Sequence, residues 1–270
     1  MCILRKLCIY FAIFVICIAL TIISTIFDNT VLAIIGIIAE ITLGYLITLA
    51  FDKINTNGQG LTLLCQSLKY YNKDIRLSFS YLFRIQVEGK YLLVKGNRLK
   101  KQYQPIGGVY KYYDEAKPQL EKFQYRADTK MGNTDETDDL RIIIKGKYLL
   151  KYMDWFLSMS DREYDPYREF KEELLDTQLL PSQEFQILKY RKVLTHNKGV
   201  QFSKYLNCDE FVYADIFEIK LTTNQEEAIK KAVVKNPDQL CLATADELKS
   251  ECYNGIDKNI GNNAKWLIGE

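Results

Sequence analysis

One histidine, five prolines and two tryptophans are all that a chain of 270 residues holds of those types. Each scarcity removes a class of chemistry. His196, the single histidine, sits in the polar run Thr195–Gly199, which reads as a loop, and no Ser-His-Asp or Cys-His arrangement surrounds it in the sequence. The cysteines number seven, an odd count with no CxxC pair and no regular spacing. They therefore supply neither a disulfide framework nor a zinc site, and a reducing compartment suits them. Charge of one sign is lacking too: 36 Lys and Arg against 34 Asp and Glu leave a net charge of +2, too small for binding a nucleic-acid polymer. No internal repeat or low-complexity tract is present.

Charge is missing altogether from Leu7 to Phe27. At a rise of ~1.5 Å per residue this stretch matches a hydrocarbon core of roughly 30 Å, so it is expected to span a membrane. It is too long for the apolar region of a signal peptide, and no small-residue cleavage pattern follows it. Asp28-Asn29-Thr30 makes a turn, and Val31 to Phe51 supplies a second span. Residues 1–53 thus read as a transmembrane hairpin with helices at about 7–27 and 31–51. Arg5 and Lys6 precede the hairpin, while Lys53, Lys69, Lys73 and Arg76 follow it, which places both termini in the cytoplasm. Glu40 lies in mid-span, where a lipid-facing carboxylate costs on the order of 2–4 kcal/mol. It is either a polar residue tolerated at a helix interface or one that organises an oligomeric pore, and Gly36 and Gly44 permit close packing beside it.

Residues 54–75 read as a linker followed by a helix, with Leu61, Leu64, Cys65 and Leu68 at helical spacing. Residues 76–270 form the cytoplasmic domain. Its opening pattern is a strand from Tyr81 to Val87, a Glu88-Gly89-Lys90 turn and a strand from Tyr91 to Val94. The turn Lys95-Gly96-Asn97 then leads to Gln104-Pro105-Ile106-Gly107-Gly108-Val109.

Carboxylates are concentrated further on, in Arg168-Glu169-Phe170-Lys171-Glu172-Glu173-Leu174. Asp165 suits an N-cap, Pro166 the first helical position, and Phe170 with Leu174 an apolar pair one turn apart, which predicts a helix from about Pro166 to Asp176. On an α-helix Glu169, Glu172, Glu173 and Asp176 would share one face. Hydrated Mg²⁺ or Mn²⁺ would relieve their repulsion, and a solvated acidic face is the plain alternative.

Between these two motifs, residues of about 114–165 divide into a charged helical part (Tyr113–Tyr125), an acidic loop (Lys130–Asp139), a strand (Leu140–Ile144) and a helix within Tyr148–Met159. Leu149, Tyr152, Met153 and Phe156 recur at helical spacing, and with Trp155 they read as core in preference to a base-stacking wall. Beyond the acidic helix, Phe185–Val193 and Phe211–Leu221 read as strands, Asn224–Val234 and Ala245–Glu251 as helices, and Asn262–Leu267 as a short strand.

Strand, glycine turn, strand, Pro-x-Gly-Gly and then REFKEEL resemble a Nudix domain, an α/β/α sandwich whose box has the form G-x5-E-x7-R-E-U-x-E-E-x-G-U, with U an aliphatic residue. The departures are specific. Ser160 stands where the box has its first glutamate, Leu175 replaces the last glycine, Phe170 replaces an aliphatic residue, and fifty-nine residues separate Gly108 from Arg168 where the pattern has thirteen, so residues of about 114–165 read as an insertion in the domain. The resemblance implies Glu172, Glu173 and the Gly108 carbonyl as metal ligands if the site is active, with Glu169 as supporting carboxylate. Gly107 and Arg168 would belong to the ligand pocket, Arg168 by orienting the helix. One further acid would come from Glu184, Asp209, Glu210 or Asp215.

Together with the hairpin, QPIGGVYKYY, REFKEELL and NAKWLI resemble the SMODS-associated Nudix family, membrane effectors linked to CD-NTase enzymes in bacterial CBASS antiphage systems. That resemblance implies a domain sensing a cyclic oligonucleotide and a hairpin that disrupts the inner membrane upon homo-oligomerisation. A membrane-anchored, Mg²⁺-dependent Nudix hydrolase of a nucleoside diphosphate derivative is the alternative expectation.

Overall fold

A computed structural model of the chain describes residues 60–96, 102–129 and 138–270, together with Val15, Ile18, Ala19, Ile37, Ile41 and Gly44. The rest of both expected spans, Glu40, the linker up to residue 59, Asn97 and most of the acidic loop at 130–137 lie outside the described residues. The six individually described residues are helical and exposed. Among the described residues, no helix is long and apolar enough to cross a membrane. The chain divides into two compact units, Met1–Leu64 and Cys65–Glu270. Helix α1 covers Gly60–Lys69.

The second unit is a mixed α/β fold organised by β1 (Asp74–Arg84). Alternation along this strand sends Ile75, Leu77, Phe79, Tyr81 and Phe83 to one face, all fully buried, and Arg76, Ser78, Ser80, Leu82 and Arg84 to the other. One edge of β1 runs parallel to β9 (Cys208–Ile219), from Arg76↔Glu210 to Arg84↔Glu218. Its other edge is shared in tandem. β7 (Arg141–Lys145) pairs antiparallel with Asp74–Ser78, and β5 (Gly107–Val109) pairs with Ser80–Leu82. With β6 (Arg126–Ala127) beyond β7 and β8 (Tyr190–Ser203) beyond β9, the order is β6-β7-β1-β9-β8. A smaller sheet joins β2 (Gln86–Val87), β3 (Lys90–Lys95), β4 (Tyr103–Gln104) and β10 (Leu240–Ala243). The β2–β3 turn has Glu88 and Gly89 both at positive φ, the conformation that matches the twist of a two-residue hairpin.

The segment between the glycine turn and the acidic helix is woven into the large sheet. β7 lies between β6 and β1, Arg76 Nε donates to Asp128 Oδ2 at 2.6 Å, and both side chains are buried. Short α2 (Lys117–Lys122) and α3 (Leu149–Leu157) come from the same segment. From α3, Tyr152 and Phe156 pack on Phe79 with ring centroids 5.1 and 4.3 Å away. Trp155 is 8% exposed, so the aromatic stripe is core, as its spacing indicates.

Three sequence expectations are corrected. Thr195–Gly199 is not a loop but part of β8, paired through His196↔Ala214 and bulged between Asn197 and Val200. It is polar because β8 is the last strand of its sheet. Phe185 is the one buried residue of an exposed turn, and the strand expected from it begins only at Tyr190. Asn262–Ile268 is a 3₁₀ helix, whose three-residue turn brings Ala264 and Leu267 onto one buried face. The helices α5 (Thr223–Lys235) and α6 (Ala245–Ser250) sit near their expected bounds, each started by a capping box, Thr222 with Gln225 and Thr244 with Glu247.

Candidate functional site

The register of β1 determines what meets at its centre. Tyr81 lies beside Gly108 on one edge and Asp215 on the other. Helix α4, which opens at Tyr167–Phe170, crosses the same face, its Phe170 ring 5.7 Å from that of Phe83. Phe170, Leu174 and Leu175 join the cluster of Phe83, Ile106 and Ile229. Full burial of Phe170 and Leu174 contributes roughly 1.5–3 kcal/mol each.

α4 is regular only over Tyr167–Phe170 and continues as a π-helical turn over Lys171–Leu175, closed by the Asp176 amide donating to the Lys171 carbonyl. Pro166 takes the cap position, and Asp165 acts from one residue further out by accepting from the Tyr167 amide at 2.9 Å. The wide turn corrects the expectation of four carboxylates on one α-helical face. Asp176 pairs instead with Lys171 at 3.5 Å. Glu172 is half exposed, while Glu169 and Glu173 turn inward.

Gly107 and Gly108 fit this arrangement closely. The Gly107 amide donates to Glu173 Oε2 at 3.1 Å. A Cβ at Gly107, whose φ is +150°, would lie 2.2 Å from the Tyr81 carbonyl oxygen, and one at Gly108 would lie 2.0 Å from Glu169 Oε1. Only a residue without a side chain lets β1 and Glu169 approach so near.

Arg168 is the hub. Its Nε donates to Glu163 Oε1 at 2.8 Å, Nη1 to Glu169 Oε1 at 2.8 Å and to Glu172 Oε2 at 3.2 Å, and Nη2 to the Val109 carbonyl at 3.2 Å and the Tyr81 hydroxyl at 3.3 Å. Burial opposes the Arg168 charge, but the hydrogen bond to Glu163, with Tyr81 and Glu169 adding to it, holds the guanidinium more firmly protonated than a free arginine. Burial raises the Glu169 carboxyl, with Arg168 opposing. Burial likewise pushes Glu173 up to about 8, against the Gly107 hydrogen bond and assisted by the negative charges of Glu169 and Glu172.

Glu163 was not among the residues singled out by the box pattern. It stands five before Arg168 instead of eight, on the far side of Asp165-Pro166, so no helical or strand spacing connects the two. Of the four further acids, the structure brings only Asp215 to the centre of this face: it is buried and accepts from the Tyr110 hydroxyl at 3.0 Å and the Thr195 hydroxyl at 2.7 Å. Glu210 is held by Arg76 at 3.2 Å, Glu184 is exposed, and Asp209 pairs along the strand with Phe202. His196 is away from the box, stacked on Trp266 with centroids 4.3 Å apart. Burial, then Lys198, lowers it to about 4.

Carboxylate oxygens suit a hard divalent cation. Here, however, Glu169 and Glu172 accept from Arg168, and Glu173 accepts from a backbone amide. Among the described residues no three His, Cys, Asp or Glu side chains are grouped to hold a metal ion. As arranged, these side chains do not fit a metal, although Nudix domains generally use divalent ions.

No curated protein and no solved structure matches the chain. The family described as the SMODS-associated NUDIX domain matches residues 74–268, which takes in β1, the glycine turn, the acidic helix and the terminal 3₁₀ helix. The glycine turn and the Arg168 helix touch directly beside β1, within the matched residues, and the chain belongs to the SMODS-associated NUDIX domain family.

Proposed function

We propose that this chain is a membrane effector of a bacterial CBASS antiphage system. Its Nudix-like domain binds a cyclic oligonucleotide made by a CD-NTase, and the hairpin of residues 1–53 then disrupts the inner membrane. In this reading both termini and residues 76–270 are cytoplasmic, residues 54–75 join the two parts, and activation assembles several copies.

The observation that carries the receptor half is the engagement of the box carboxylates. Glu169 and Glu172 bind Arg168, and Glu173 binds the Gly107 amide. A hydrolase would need these groups to bind metal and activate water. Bound to partners of their own, these carboxylates hold the glycine turn and α4 together as a scaffold, the part that a receptor without chemistry would keep. The membrane half rests on the uncharged stretch from Leu7 to Phe27 and its companion from Val31 to Phe51, in which Glu40 would face other copies.

Dye-filled vesicles carrying the full chain provide the test. Leakage that requires a cyclic oligonucleotide but not Mg²⁺, with phage protection kept in a Glu172→Gln, Glu173→Gln double variant, is expected. If that variant folds and binds the oligonucleotide yet no longer protects, the site is a hydrolase and the receptor reading fails.

A further inference from the structure

On the face of the large sheet opposite α4 there is a cleft of about 230 Å³. Its floor is β8 and β9 where their register shifts between Asn197 and Val200, and its wall is the 3₁₀ helix Asn262–Ile268. Alternation along β9 places Glu210 and Val212 here, whereas Phe211 and Tyr213 face the core around Phe79. His196, Lys198, Gln201, Lys265, Trp266 and Glu270 also line it.

Three properties of this cleft belong together. His196 and Trp266 form a stacked pair, tilted by only 17°, that lines an open space instead of being sealed in the core. The cleft's acids are each held by a cation: Glu210 by Arg76 at 3.2 Å, and Glu270 by Lys249 at 3.1 Å. Lys265 is itself paired with Glu251 at 2.7 Å, so exposed Lys198, at the strand bulge, gives the cleft its positive end. A flat aromatic surface beside an exposed ammonium is the combination that stacks a base and holds its phosphate. The volume is below the ~300–1,000 Å³ of pockets for drug-sized ligands, which suits one nucleotide unit and not a whole cyclic oligonucleotide.

We propose that the His196–Trp266 cleft is a second binding site, distinct from the box, that takes one planar base with its attached phosphate. It deepens the receptor reading, on which it rests only for identifying that nucleotide unit as part of the signal. A cyclic oligonucleotide held at this cleft by one unit leaves its other units exposed, so the cleft is suited to bridging copies of the chain.

The two tryptophans make the test direct. In the full chain in detergent, with Trp155→Phe, Trp266 is the remaining indole, and AMP is the probe. Saturable quenching is expected with AMP and not with ribose 5-phosphate, weakened about tenfold by Lys198→Ala, the loss of one charge-assisted hydrogen bond. Circular dichroism checks that each variant is folded, and His196→Ala serves as the second variant. Absence of saturable quenching by any of the four common nucleoside monophosphates overturns the proposal, and so does equal quenching by ribose 5-phosphate. Vesicle leakage separates the two readings. If a cyclic oligonucleotide opens vesicles equally well with Lys198→Ala, and none of the four nucleoside monophosphates quenches, the cleft fails and the receptor stands. If AMP binds as described but no cyclic oligonucleotide causes leakage, the receptor reading fails and the cleft stands.

Discussion

Arg168 and Glu163 are joined by two hydrogen bonds, Nε to Oε1 at 2.8 Å and Nη2 to Oε2 at 3.2 Å, across the Asp165-Pro166 bend that leads into α4. The planar guanidinium and carboxylate thus meet fork to fork. Because the same guanidinium reaches Glu169, Tyr81 and the Val109 carbonyl, one cation ties α4 to the segment before it and to two strands.

Lysine at this position would keep the charge and lose the fork. Arg168→Lys is expected to lower stability by about 1–3 kcal/mol, because a single ammonium cannot serve partners in three directions. Urea unfolding at neutral pH measures it. A loss equal to that of an ordinary surface substitution would mean that the hub does not hold the helix.

Glu173 gives the domain a pH signature. Its folded-state value of about 8 exceeds the ordinary 4.5, so the folded form binds the proton more tightly than the unfolded chain. The associated stability is fully present below about pH 4.5 and is lost as pH rises towards about 8. Glu173→Gln keeps an acceptor for the Gly107 amide and cannot ionise. Its advantage over the native chain should therefore grow across that interval, by on the order of 1–3 kcal/mol, in denaturant melts at stepped pH. A constant difference would contradict the assignment.

At Gly108 the difficulty for a side chain is Glu169, since the added Cβ would fall 2.0 Å from its carboxylate oxygen. Gly108→Ala is expected to cost about 1–3 kcal/mol by overpacking, and much less in a Glu169→Ala background. A double-mutant cycle with no coupling would show that some other contact sets the cost.

Phe156 lies in the segment that the sequence sets apart as an insertion, yet it is fully buried against Phe79, Tyr110 and Tyr213. Truncation to alanine should remove about 3–5 kcal/mol, as for a central core position. Thermal unfolding in a single cooperative transition, shifted downward as a whole, is the expected record. Unchanged melting would restore the picture of an appendage.

Local signals are legible in the residues: the glycine hairpin at Gly89, the capped helices, the apolar pair Phe170 and Leu174, and the aromatic stripe of α3 all rest on spacing within one element. The Arg168 partnership is not, because Glu163 reaches it through a bend whose direction depends on β5 and β1. Nor is β8 fully legible. An edge strand tolerates the polar residues Thr195 to Lys198, which in isolation read as a loop, and the four-residue β10 is too short for a pattern of its own. The acidic helix starts within a residue of its expected position, but its π turn redistributes carboxylates that sequence spacing puts together.

The tandem edge of β1 bears on any attempt to trim this chain to a minimal box. β5 covers only Ser80 to Leu82, and without β7 the amides and carbonyls of Asp74 to Ser78 would be left as a bare strand edge. Bare edges recruit strands from neighbouring molecules. The fifty-nine residues between Gly108 and Arg168 are thus also a guard against aggregation, and a shortened version would be expected to precipitate before it could be assayed.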